Sequence, residues 1–180
     1  MAFSRRKTAY DEAALYEYAV GALARQMRSV AELKRLLRRR LTGQGDAETL
    51  VEAVILRLKD QHYLNDTKYA TAYSGYRREN EKFGRLRVIS DLKNKGVHGD
   101  IIEKTVSEAY AGVNEEKLAR QFLARKRVRK PADNRQAAKI FRALARAGFT
   151  IGVIVAILKK WDVDDEVLSV LESEGPEAAE

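Results

Sequence analysis

Gly84-Arg85-Leu86-Arg87-Val88-Ile89-Ser90-Asp91-Leu92-Lys93-Asn94-Lys95-Gly96-Val97 decides the fold, because its frame recurs once before it and once after it. A glycine opens the stretch, Val88 and Leu92 lie four apart on one helical face, and Gly96 supplies the left-handed stop that glycine adopts at little cost. Counting back 55 positions gives Ser29, Leu33, Leu37 and Leu41; counting forward 52 gives Gln136, Ile140, Leu144 and Gly148, with Phe149 in the place of Val97.

The flanks turn this frame into a repeat. A second amphipathic run follows each copy: Val51, Val54, Ile55 and Leu58; Ile102, Val106, Ala109 and Tyr110; Ile154, Ile157, Leu158 and Trp161. Another run precedes each copy: Leu15, Ala19 and Leu23; Tyr69, Ala70 and Tyr73; Leu118, Ala119 and Phe122. Each unit therefore reads as three short helices, and a period near 50 residues predicts an all-α array whose units lean on their neighbours. The boundaries expected are a flexible basic arm at 1–9, three-helix repeats at 10–62, 63–112 and 113–163, and a disordered acidic tail at 164–180.

Composition narrows the function. The 180 residues contain no cysteine, which removes disulfides, thiolate nucleophiles and cysteine-type zinc sites. Asp11, Glu12 and Glu17 stand where a signal peptide would need an apolar segment, and no apolar run reaches the ~20 residues that span a bilayer. A cytoplasmic protein is expected. The net charge of +8 is unevenly placed. Residues 1–59 carry 12 basic and 7 acidic side chains and residues 60–119 carry 10 of each; residues 120–146 carry 10 basic against Asp133 alone, and residues 147–180 carry 2 basic against 8 acidic. Such concentration points to a polyanionic partner.

Local signals place the elements. Ser29-Val30-Ala31-Glu32 is a capping box, and Asp46, Asn65 or Asp66, Asn114 and Asp133 are helix-start residues. Lys34, Arg35, Arg38, Arg39 and Arg40 read either as a solvated face or as a basic ridge. Tyr69, Tyr73 and Tyr76 read either as core or as a stacking platform for bases. Arg125-Lys126-Arg127-Val128-Arg129-Lys130 places five cations in six residues before Pro131. That exceeds what a helix C-terminus uses, and Lys139, Arg142 and Arg146 extend the charge. His62 and His98 lack ligand spacing and are assigned to surface turns, and Trp161 to the core. No phosphate loop, dinucleotide fingerprint, nucleophile elbow, zinc motif or calcium loop is present, so neither an enzyme nor a cofactor is expected.

The middle unit resembles the RecX family of bacterial recombination regulators. Tyr63-Leu64-Asn65-Asp66, Tyr69-Ala70, Gly84, Arg87-Val88, Asp91-Leu92 and Lys95-Gly96-Val97 are similar to that family's aromatic-rich helix followed by G-x-x-R-I-x-x-E-L-x-x-K-G-V. Ser29-x-x-Glu32-Leu33 resembles its first-unit signature and Leu144-x-Arg146-x-Gly148-Phe149 its last. Asn65, Arg85 and Asp91 depart from the pattern. The resemblance spans about residues 10–161. It implies an elongated, curved array of three three-helix repeats. It also implies binding in the groove of the RecA–DNA filament, inhibition of ATP hydrolysis and strand exchange, and a place in DNA repair and the SOS response; weak DNA binding without sequence preference and a monomer are expected beside it. The residues expected to meet RecA or DNA are Arg78, Arg87, Lys95, Lys126, Arg127, Arg129, Lys130, Arg142 and Arg146. The alternative is a nucleic-acid-binding protein with helix-turn-helix-like units acting without RecA.

Overall fold

The computed structural model describes residues 10–174, so the expected basic arm and the last six residues of the expected tail lie outside it. The described chain holds ten α-helices and no strand: α1 Glu12–Arg25, α2 Val30–Arg40, α3 Ala47–Asp60, α4 Asp66–Tyr76, α5 Arg85–Asn94, α6 Gly99–Tyr110, α7 Glu115–Arg125, α8 Asn134–Arg146, α9 Ile151–Lys159 and α10 Asp165–Glu174. A π turn, Arg77–Glu81, extends α4.

The first nine helices fall into threes that share their punctuation. The first helix of each three is capped in the same way, with the Asp11, Asn65 or Asn114 side chain accepting from the backbone N–H three residues on. The third helix of each ends on a left-handed residue, at His62, Gly112 and Asp162, spaced 50 apart. Repeated caps and stops fix repeated helix lengths. The predicted capping box is present: Ser29 Oγ accepts from the Glu32 N–H and Glu32 Oε2 from the Ser29 N–H, both at 3.1 Å. Asp46 precedes α3 without making a side-chain cap bond.

The frame helices α2, α5 and α8 meet end to end. Gly84, at the start of α5, donates to the Ala147 carbonyl at 2.8 Å, and Leu86 donates to the Gly148 carbonyl at 3.1 Å. At the other end of α5, Ser29 Oγ donates to the Lys95 carbonyl at 2.6 Å. At the second joint orphan N–H groups of one helix thus satisfy orphan carbonyls of the next, and at the first the hydroxyl of the helix-capping serine does so. The fit requires glycine: a Cβ at Gly84 or Gly148 would overlap backbone across the second joint, and one at Gly96 would lie 2.5 Å from the Ala31 Cβ across the first.

The two joints differ in what surrounds them. Units two and three share one core, running from Val88, Leu92 and Ile102 to Phe141, Leu144 and Ile154. Phe83, Phe122 and Phe149 bridge it, with successive ring centroids 6.1 Å apart. The first unit has a separate core of Leu15, Leu33, Leu37, Val54, Leu58 and their neighbours. At the first joint the contacts beside the backbone are polar: Lys95 Nζ to Glu32 Oε1 at 2.8 Å and Val30 N to Asp66 Oδ1 at 2.8 Å.

The tail expectation is corrected over residues 165–174. Asp165 and Glu166 suit the positive end of a helix dipole, and Leu168 and Leu171 are buried against α8 and α9. The acidic composition conceals an amphipathic helix. Trp161, expected as a core anchor, is only partly buried at the edge of the large core.

Candidate interaction surface

The nine cations singled out in the sequence separate into two groups once folded. In the middle unit they are held by the protein itself. Arg78 donates to the Ala109 carbonyl and pairs with Glu79 at 2.5 Å. Arg87 pairs with Asp91 at 3.0 Å and reaches the Arg146 carbonyl at 3.4 Å. Asp91 also accepts from Tyr73 Oη at 2.9 Å and from Arg77 at 3.1 Å, so one carboxylate anchors three side chains beside the π turn. Lys95 pairs with Glu32 and lies 5.3 Å from the Tyr73 ring centre.

The first joint carries the clearest electrostatic signature. Burial pushes the Glu32 carboxyl upward, but the Lys95 ammonium and the Ser29 N–H outweigh it and hold the group below the ordinary carboxylate range. Burial opposes the Lys95 charge too, yet its bonds to Glu32 and Tyr69 raise it above the ordinary lysine value. These two groups stabilise each other's charged form.

The third unit is different. Lys126 and Arg129 are exposed, and Arg127 occupies the left-handed turn that ends α7, with φ 55°. Lys130 pairs with Asp162 at 2.6 Å, an exposed contact of small energetic weight. Helix α8 buries Ala137, Ile140, Phe141 and Leu144 along one side. Its other side presents Arg135, Lys139, Arg142 and Arg146 at spacings of four, three and four, which places them in one row. Among the described residues, no carboxylate lies within ion-pair distance of Lys126, Arg127, Arg129 or any member of that row. The structure therefore groups five of the nine expected residues, Lys126, Arg127, Arg129, Arg142 and Arg146, as free cations on unit three. Arg135 is the addition that composition alone did not single out; its helical spacing from Lys139 is the signal that finds it.

Acids gather nowhere into a metal site: no group of three histidine, aspartate or glutamate side chains among the described residues could hold an ion. No helix among them is long and apolar enough to cross a membrane. Of the tyrosine row, Tyr69 is buried, Tyr73 is hydrogen-bonded and partly buried, and Tyr76 is exposed. A continuous stacking platform is not formed.

Comparison with known proteins places the chain. Residues 65–106 match the family model described as RecX, second three-helix domain. The chain is 30% identical over 127 residues to the regulatory protein RecX of Chromobacterium violaceum, covering 71% of this chain and 80% of the relative. To that of Pseudomonas putida it is 29% identical over 148 residues, covering 82% and 90%. Its fold is that of the crystal structure of RecX from Lactobacillus salivarius, with a TM-score of 0.63 at 21% identity over 84% of this chain and 96% of the other. The matched second domain, the length of the sequence match and the shared fold agree: this chain belongs to the RecX family, a family of regulatory proteins.

Proposed function

We propose that this chain is a cytoplasmic regulator of homologous recombination and DNA repair that binds in the helical groove of the RecA–DNA filament and inhibits RecA ATP hydrolysis and strand exchange. The observation that carries the reading is the set of unpaired cations on unit three, the last unit of the repeat array. A filament of recombinase and DNA offers a polyanionic surface to such a set, and stabilisation of one filament state over another requires no catalysis by the regulator. Of the middle-unit cations that the sequence also nominated, Arg87 and Lys95 support the reading indirectly by bridging to the neighbouring units, while Arg78 bonds within unit two.

The test is RecA's single-stranded-DNA-dependent ATP hydrolysis with this protein titrated well below one molecule per RecA and DNA in excess of both. Inhibition at that ratio is expected, since competition for abundant DNA would not produce it. A variant with Lys126, Arg127, Arg129, Arg142 and Arg146 changed to Glu should inhibit at least tenfold less well with unchanged helical content. Unaltered hydrolysis on confirmed filaments would overturn the reading.

The row on α8 favours one alternative, direct nucleic-acid binding through helix-turn-helix-like units. It requires tight DNA binding without RecA, with affinity falling steeply as salt rises because each neutralised phosphate releases counterions. Weak binding without sequence preference fits both readings, and only strong or sequence-selective binding favours the alternative.

A further inference from the structure

The two joints of the array are built alike, and comparing them exposes a difference beside the end-to-end contacts. At the second joint the residue just before the start of α5 is Phe83. Its ring lies 6.1 Å from Phe122, and its carbonyl accepts from Tyr110 Oη at 2.8 Å, so an aromatic side chain closes the angle between units two and three. At the first joint the residue in the same register, 55 positions earlier and just before the start of α2, is Arg28. No aromatic side chain takes the place of Phe83 there. What remains is a cleft of about 230 Å³ lined by Leu23, Met27, Arg28, Tyr63, Lys68 and Tyr69, together with His62 and Asn65.

Three features of this cleft point to one kind of ligand. Met27 and Tyr63 are large apolar side chains held 55% and 62% exposed at its walls, an arrangement that costs free energy unless something covers them. The charged lining residues are the cations Arg28 and Lys68, with no carboxylate among them. The Nε of Arg28 is buried without a protein acceptor among the described residues. The volume falls below the roughly 300–1,000 Å³ of small-molecule pockets, and suits a single large side chain.

We propose that this cleft is a docking site for an acidic peptide segment of a partner protein, which inserts one aromatic side chain where the second joint holds Phe83. The inserted ring packs against Leu23, Met27 and Tyr63. Flanking carboxylates meet the Arg28 guanidinium and the Lys68 ammonium, whose charge-assisted hydrogen bonds orient the segment. Because the cleft walls come from both units, an occupant also holds unit one against unit two. The proposal does not depend on the recombinase reading above.

The test uses the full chain, isotopically labelled, titrated with three short acetylated peptides: Glu-Phe-Glu, Glu-Ala-Glu and Lys-Phe-Lys. Amide shifts confined to Met27, Arg28, His62, Tyr63 and Lys68 are expected with Glu-Phe-Glu, which should bind at least tenfold more tightly than either control. Arg28→Phe, which restores the plug of the second joint, should abolish the shifts while preserving helical content. Lys68→Glu, at an exposed position, should weaken binding at least tenfold and serves where the first variant fails to fold. Equal responses to the three peptides, no response, or retention of binding by Lys68→Glu would overturn the proposal. So would self-association of the unliganded chain that Tyr63→Ala abolishes, which would assign the cleft to a second copy.

Discussion

Gly84, Gly96 and Gly148 show how far a single residue type can be read. Gly96 and Gly148 were legible as left-handed helix stops, and both have positive φ, 74° and 88°. Their second duty is not legible: at Gly148 the missing Cβ lets the next frame helix touch backbone to backbone, and at Gly96 it leaves room for the Ala31 side chain, relations between residues 61 to 65 positions apart that no local pattern encodes. Gly84 has an ordinary φ of −73°, so its need for glycine is steric alone. Gly112 is the opposite case, with φ 68° and open space around it. Gly112→Ala should therefore cost only the left-handed penalty, about 1–2 kcal/mol. Gly148→Ala carries that penalty plus a collision with Arg87 and should cost more, about 3–5 kcal/mol in all. Urea unfolding of the two variants measures the difference. Equal losses would mean that the joint yields freely and that the end-to-end contact contributes little.

Helices are legible in the sequence where apolar spacing and caps agree, and hidden where composition masks spacing. The frame helices, with Leu33 and Leu37, Val88 and Leu92, and Ile140 and Leu144, all bury the predicted pairs. Eight acids against two lysines after residue 146 read as a solvated tail, yet Val167, Leu168 and Leu171 keep helical spacing within it and form α10. The same lesson applies to α8, whose cationic row is complete only when Arg135 is placed on the helix with Lys139, Arg142 and Arg146. Since α10 covers part of the core formed by α8 and α9, it contributes to stability. Leu168→Ala should destabilise by about 2–4 kcal/mol, the usual range for a buried leucine, whereas Val170→Ala, at a position 53% exposed, should be nearly silent. Thermal unfolding followed by circular dichroism separates them. Indifference to Leu168→Ala would show that α10 lies on the core without supporting it.

At the scale of the whole molecule, two cores and one polar joint make unit one the part that can move. Units two and three should move together, because separating them would expose Phe83, Phe122 and Phe149, while separating unit one breaks mainly the bonds of Ser29, Val30, Glu32, Asp66 and Lys95. Asymmetry of this kind was invisible in the sequence, where the three copies look equivalent. It has a pH dependence whose sign follows from Glu32. The folded protein holds that carboxyl below its ordinary value of 4.5, so its contribution is complete above that value and is lost as pH falls through the lowered one. Lys95, raised above 10.5, keeps its contribution throughout the neutral range and loses it only in strong alkali. The chain has no cysteine, so Leu56→Cys and Glu103→Cys give two exposed labelling sites, on units one and two. The distance distribution between labels there should stay narrow at neutral pH and broaden as pH falls through the lowered Glu32 value, below the ordinary 4.5, while circular dichroism still reports intact helices. Lys95→Met should reproduce the broadening at neutral pH, since it leaves Glu32 without its partner. Adding Glu32→Gln alone should remove the acid dependence, because the group that titrates is gone. If the Glu32→Gln protein broadens in acid as the parent does, some other carboxyl governs the joint and the assignment to Glu32 falls.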